Sequence, residues 1–518
     1  MRTLLPALQD QTISTFLNNT DAITNVKTLH EGTVHLVFPS IITQNYSEIL
    51  DSFSDITIEK EIYFAHKSTN SSAVVRHMKK LGLKCDVASY YELCSALSEG
   101  FTGHTIECTG PKNEKYLRLA IQHNCLISCD SYQELVELIS LHKLCDIQQT
   151  IHVLLRVQNI SAEGINYKHR TSRYGLCENE ISQAFNVLSE NECITLEGFH
   201  VHNDERNPEV KSAFVKRIIT LMMQAYEYNL APSIINIGGG LRAQSILSKD
   251  YWTNYVNDLE EAVKLGNSTH TYKNFAYGMH LNEKGTVHGR SQLLGRFGLP
   301  SIKETIQTIL HTEMDDGRRL HEIIAENGWK LMIEPGEALL TNAGITLTNV
   351  ISTNKNKDHD NITVLDTNIY NIGCQMTEHF LDPVLVKDSK NRMDSSSEKS
   401  ETNESNMQKE TEWHGFLVGN LCREEDILMK RKVTFNTKPQ KNDIIIFFNT
   451  AGYSSHFEDA RPHMHPLSKR FIITENNNFE IHTDETYNPW NNELEDTTNV
   501  AKGIPNDKNK KTNAEYYD

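Results

Sequence analysis

The 518-residue sequence contains no long apolar run: nowhere do about 18 apolar residues follow one another, so no membrane-spanning helix is expected. The opening MRTLLPALQDQ has only a short apolar patch, and no targeting signal is read from it. Basic charge is short against acid, 51 Lys and Arg facing 68 Asp and Glu, for a formal net charge of -17. That balance speaks against nucleic acid and anionic membrane as partners, because both are gripped by clustered cations. The ten cysteines include no CxxC pair, and the closest two, Cys125 and Cys129, lack the companion ligands of a zinc site. Reduced thiols in a cytoplasmic setting, and no metal, are the expectation.

What the sequence has instead is alternation. From about 60 to 340, short apolar runs that end in polar or glycine residues alternate with stretches of helical periodicity, the pattern of a parallel sheet with crossover helices. Eight strands are expected: EIYFAHK at 61, KCDVAS at 84, HTIECTG at 104, LISCDS at 126, TIHVLLRV at 150, TLEGFHVH at 195, SIINIGGG at 233 and KLMIEPG at 330. Eight closes a (β/α)8 TIM-like barrel. Between them, SSAVVRHMKKLG puts Val74, Val75, Met78 and Leu81 on one face, and EVKSAFVKRIITLMMQAYEYN repeats apolar residues every three or four. The chain is long for one core, so a second domain is expected. After about 345 the β-branched runs ITLTNVI, NITVLDT, KVTFNT, DIIIFFNT and RFIITE predict a C-terminal all-β domain. The expected division is an N-terminal segment 1–43 joining the β domain, a barrel over 44–343 with an insertion at about 245–300, a β domain over 344–489, and a tail over 490–518. The polar stretch 387–412 and the tail have too few apolar residues to offset the entropy of ordering.

In a parallel barrel the chemistry sits at the carboxyl ends of the strands. Here those ends carry Lys67, Asp86 with Ser89, Thr109, Asp130, Arg156, His200 with His202, Gly238 to Gly240, and Glu334. A lysine closing an apolar strand is costly to desolvate and tends toward the neutral, nucleophilic form able to make a Schiff base, although a lone lysine there more often snorkels into water. Glycines at 238 to 240 let backbone amides approach a phosphate, or simply make a tight turn. Glu334 suits the nitrogen of a pyridine ring, or else caps a loop. His202 can stack on a ring, or bond to backbone in the core.

The motifs YFAHKSTNSSAVVRHMKKLGLKCDVASYYEL, ECTGPKNEKYLRLA, LLRV, TSRYG, GFHVH, INIGGG, IEPG, GNLCREEDIL and NTAGY, in that order over roughly 30 to 475, resemble the diaminopimelate and ornithine decarboxylases. These are fold-type III enzymes dependent on pyridoxal 5'-phosphate (PLP), with an alanine-racemase-type barrel and a β domain. The resemblance implies decarboxylation of an amino acid by way of a Schiff base and a quinonoid. Lys67 would carry the cofactor and His202 would stack on its ring. Gly238, Gly239, Gly240, Gly336 and Tyr453 would form the phosphate site, with Glu334 at the ring nitrogen. Asp86, Glu92 and Arg173 match positions near the cofactor. Cys422 matches the cysteine that returns a proton to the substrate carbon from the second subunit, which implies a homodimer with shared sites.

Four positions depart from the family pattern. Glu205 stands where a phosphate-binding serine is usual, Glu337 replaces the arginine of EPGR, and the lysine motif is KST rather than KAN. Two acids beside a phosphate dianion would weaken its binding unless they point away or cations compensate. The acid usually following the cysteine is Arg423, which favours a substrate with an anionic tail; Glu424, Glu425 and Asp426 lie close by, so both Arg423 and Asp426 are candidate substrate contacts. Two other readings stay open: a racemase on the same fold, for which the motifs place no tyrosine base facing Lys67, and a catalytically silent relative acting as a binding or regulatory protein.

Overall fold

The computed structural model describes residues 4–145, 148–158, 172–203, 207–266, 271–289, 300–357, 359–372, 380–388, 412–453, 461–476 and 478–490. Glu205, most of the polar stretch 387–412 and nearly all of the tail lie outside them. The strands run β1 (Val34–Val37), β2 (Glu59–Ala65), β3 (Lys84–Val87), β4 (Ile106–Cys108), β5 (Leu126–Cys129), β6 (Ile151–Arg156), β7 (Ile194–His200), β8 (Ile234–Asn236), a hairpin of β9 (His280–Leu281) and β10 (Val287–His288), and β11 (Lys330–Ile333). Then come β12 (Gly344–Lys355), β13 (Asn361–Leu365), β14 (Val384–Val386), β15 (Trp413–Val418), β16 (Val433–Phe435), β17 (Ile444–Phe448), β18 (Lys469–Asn476) and β19 (Asn478–His482).

All eight expected barrel strands form. β2 to β8 and β11 close a parallel barrel in which β11 pairs with both β2 and β8. The turn out of several strands is set by a polar helix cap. Ser71, Ser89, Asn113 and Ser131 accept from the backbone N–H of Val74, Glu92, Tyr116 and Glu134, starting the helices that fold back over the barrel wall. Ser72–Lys80 buries Val74, Val75 and Met78 as its periodicity predicts, with Leu81 packed at the edge. Inside the barrel, Tyr63, Leu154, Ile234 and Met332 form a cluster of their own. Strand side chains alternate faces, so two residues further along come Arg156, Asn236 and Glu334, a polar layer above an apolar floor.

The second sheet runs β16-β15-β13-β12-β1-β18-β19, with β17 on β12 and β14 on β17. β1, buried along its whole length, lies antiparallel to β12 and parallel to β18. The inserted stretch after 245 holds a helix, Lys249–Lys264, and leans on this sheet: Tyr272 N–H donates to Lys430 O at 2.7 Å, and the Trp252 and Tyr277 rings lie 5.9 and 5.3 Å from Phe380. Beneath them Arg431, fully buried, donates to Phe380 O at 2.9 Å and to Asp382 Oδ1 at 2.6 Å.

Candidate active site

Lys67 follows β2 in a short turn, His66–Ser68, and its ammonium lies 3.0 Å from Asp86 Oδ2 on β3. Thr109, at the end of β4, donates to the other Asp86 oxygen. Burial works to lower the lysine pKa, but the charges of Asp86, Glu334 and Tyr453 outweigh it and hold the group above the ordinary lysine range. The tendency toward a neutral Lys67 is therefore opposed: the neighbouring strand brings a carboxylate to the same place, and that favours the ammonium. A third of the side chain, 35%, remains exposed at the barrel mouth.

The polar layer below is dense with acid. Asp86, Glu107 and Glu334 each offer an oxygen within 4.8 Å of the others, all buried. The Asn236 amide bridges two of them, donating to Glu107 at 3.0 and 3.1 Å and to Glu334 Oε1 at 2.7 Å. Three carboxylates beside one ammonium in a dry interior cannot all ionise. Burial, then the adjacent Glu334 and Asp86, push Glu107 well above the carboxylate range, and burial pushes Asp86 up as well. Burial opposes ionisation of Glu334 too, yet His200, His202 and Lys67 prevail and hold it well below that range. His200 Nε2 faces Glu334 Oε1 at 3.3 Å while its Nδ1 meets Ser128 Oγ at 2.7 Å.

The glycines leave room where side chains would intrude. Gly238 and Gly240 have φ of +66° and +73°, and a Cβ at Gly239 would lie 2.7 Å from Glu334 O. The Gly239 N–H donates to His202 Nδ1 at 3.2 Å, which fixes that imidazole beside the glycines, 22% exposed. A Cβ at Gly336 would meet Tyr453 Oη at 2.7 Å, so the Tyr453 hydroxyl lies against the turn after β11; its backbone N–H donates to Ser68 O at 2.9 Å.

Thus Lys67, Asp86, His202, Gly238 to Gly240, Glu334, Gly336 and Tyr453 come together at the barrel mouth. Other candidates lie differently. The Glu92 carboxylate is engaged at 2.7 Å by Ala88 N–H, as a helix cap behind Asp86. Arg173 is exposed and packs over the Tyr174 ring at 4.5 Å. Asp130 and Arg156 pair with each other at 2.9 Å. Cys422 is on an exposed loop after β15, its Sγ 3.5 Å from His463 Nε2. Arg423 beside it donates to Tyr370 Oη at 2.9 Å and lies 3.3 Å from Glu425. Asp426 faces inward: its oxygens accept from Ile369 N–H and Leu421 N–H at 2.9 and 2.8 Å, shaping the loop from beneath. Sequence reasoning missed Glu107 and Asn236; the signal for Glu107 was an acid inside the apolar run HTIECTG.

Fold and site together define a barrel enzyme of fold type III, with a paired lysine and a buried acid layer at the strand ends. Residues 41–273 match the family described as pyridoxal-dependent decarboxylase, pyridoxal binding domain. Among relatives, the uncharacterised protein y4yA of Sinorhizobium fredii is 25% identical over 450 residues, 86% of this chain and 88% of that one. Diaminopimelate decarboxylase of Bacillus subtilis is 26% identical over 273 residues, half of this chain and 60% of the relative. Among solved structures, Helicobacter pylori diaminopimelate decarboxylase complexed with L-lysine superposes with a TM-score of 0.63 at 14% identity, covering 89% of this chain and 95% of that one. Over residues 41–273 the chain carries the pyridoxal-binding domain of the PLP-dependent decarboxylases, and PLP is the cofactor that this domain and the relatives imply. The residues fit that group: a primary amine at the mouth, a carboxylate held below its ordinary range in the acid layer, and glycines at 238, 239 and 336 where a Cβ would collide with His202, the Glu334 backbone or the Tyr453 hydroxyl, so that bare backbone lines the strand ends.

Proposed function

We propose that the protein removes the α-carboxylate of an amino acid whose far end carries a second carboxylate, with diaminopimelate as the default substrate. The observation that carries the reaction type is Lys67 held at the barrel mouth between Asp86 and the Glu334 layer. Bound PLP supplies an electron sink for the bond that breaks at the α-carbon. Lys67 is the attachment amine, and Asp86 is the acceptor for the proton it must shed. Glu334, kept ionised, holds a proton at the ring nitrogen, and Glu107 and Asn236 orient it. Gly238 to Gly240, Gly336 and the Tyr453 hydroxyl take the phosphate. The exposed Cys422 thiol, with His463 at 3.5 Å, supports a proton donor that works in the site of a second copy, hence a homodimer. Arg423, exposed and neighbouring that thiol, supports the anionic tail. Nine free cysteines among the described residues support a cytoplasmic setting.

Carbon dioxide release from purified protein with PLP tests this, offering diaminopimelate, lysine, ornithine, arginine and carboxylate-tailed amino acids. Release is expected from a carboxylate-tailed compound and is expected to fall on the order of 10⁴-fold or more in Lys67→Ala. Efficient turnover of ornithine, with none of any substrate bearing a distal carboxylate, would sink the substrate assignment.

A further inference from the structure

The acid after Gly336 raises a question of charge that the structure answers. Glu337 lies directly beside a glycine of the phosphate cradle, where a carboxylate would repel a phosphate. Its Oε2 is 3.4 Å from Arg242 Nε, and the two side chains are 35% and 22% exposed. Arg242 stands two residues beyond Gly240, so the pair spans the two glycine segments that bound the cradle. Among the described residues Glu337 is the sole partner of this guanidinium, which leaves its terminal N–H groups for another anion.

The backbone agrees. Lys211, 5% exposed, sends its ammonium to Asn203 O at 2.7 Å and Gly239 O at 3.2 Å. Peptide units are planar and trans, so a Gly239 carbonyl turned toward Lys211 aims the Gly240 N–H away from it. The Gly239 N–H is already given to His202. Gly240 N–H is thus presented on the side away from Lys211, two residues before Arg242. A buried ammonium clamps the loop from one side, while an amide and a guanidinium serve the other.

We propose that Arg242 is the cation that positions the cofactor's phosphate in this chain, cancelling Glu337 and supplying the positive charge that position 337 lacks. This rests on the PLP assignment. The role is one of positioning: Arg242 touches the phosphate and takes no part in bond breaking. It also gives Glu337 a purpose, since a carboxylate partner orients the guanidinium and limits its freedom before the ligand arrives.

The test is an absorbance titration of the cofactor-free protein with PLP and, separately, with pyridoxal, which lacks the phosphate. Thermal melts of each cofactor-free variant control for folding. Arg242→Ala is expected to weaken PLP binding roughly tenfold to a hundredfold, the range for a lost hydrogen bond to a charged group, while pyridoxal affinity stays within about twofold of wild type. Arg242→Lys should retain most of the affinity. In the Arg242→Ala background, Glu337→Arg should restore PLP binding, because the cation is returned from the other side. Unchanged PLP affinity in Arg242→Ala would overturn the proposal, as would an equal loss for PLP and pyridoxal or a failure of Glu337→Arg to restore binding in a folded protein. Wild-type protein that takes up neither compound would instead overturn the cofactor assignment, a different failure.

Discussion

The barrel mouth and the loop at 420–426 are both rich in charge, yet they use it in opposite ways. At the mouth, Asp86, Glu107 and Glu334 are removed from water, so each charge is felt strongly by its neighbours and protons are sorted among them. On the loop, Arg423, Glu424 and Glu425 have side chains 41%, 76% and 71% exposed, where water and salt screen them. Only Asp426 is withdrawn, and it serves the backbone. The difference separates two tasks. Buried charge holds protons at fixed atoms and suits chemistry, whereas exposed charge on a rigidly capped loop can select among substrates and be exchanged without disturbing the fold.

The sharpest way to break that contrast is at Glu334. Glu334→Gln keeps shape and hydrogen bonding but removes the charge; carbon dioxide release should fall about 10²- to 10³-fold, with the Lys67-bound cofactor still visible by absorbance. A loss below tenfold would place the buried acid layer on a par with the loop.

A second prediction concerns the joint between barrel and β domain. His77 lies buried with Nε2 3.0 Å from Thr43 Oγ1 and Nδ1 2.9 Å from Tyr487 Oη. Burial, aided by Lys80, lowers its pKa from 6.5 to about 4. A base held below its unfolded value leaves the native state short of a proton, so its contribution is full above pH 6.5 and is lost as pH falls toward 4, reaching about 3 kcal/mol. Melting temperatures recorded between pH 7 and 4 should drop less steeply in His77→Gln than in wild type; parallel curves would refute the assignment.

The smallest effect is expected on the loop itself. Arg423→Ala should raise KM for a carboxylate-tailed substrate by roughly tenfold with kcat little changed, and Arg423→Glu should move preference toward amine-tailed substrates. A kcat collapse in Arg423→Ala would mean that the loop shares in the chemistry.

The barrel was legible because its strands are short apolar runs ending in reactive residues, and local pattern carries that much. The second sheet was legible only in part. WHGFLV, which forms β15, reads weakly because Gly415 interrupts the run, and three-residue β14 offers almost no pattern. At the site, residue types were visible but pairings were not. Asn236 and Glu107 meet across 129 positions of sequence, and nothing local reports it. Glu337 read as a flaw for the same reason, because Arg242 lies on another strand's exit. The pull on the Lys67 proton was not legible, since a strand end seen alone does not show the carboxylate its neighbour contributes.

One consequence lies in the order of synthesis. Val34 of β1 pairs with Leu347 and with Lys469, so a strand made among the first residues waits for partners that emerge roughly 300 residues later or more, contacts of very high order that form slowly. The barrel can close on the ribosome in the meantime. Until β1 slots between them, β12 and β18 each present an open edge, the kind of surface that captures a neighbouring chain. Trimming the first forty residues would therefore not remove a tail but leave the second sheet split through its middle, and insoluble protein, not a sluggish enzyme, is the outcome to expect.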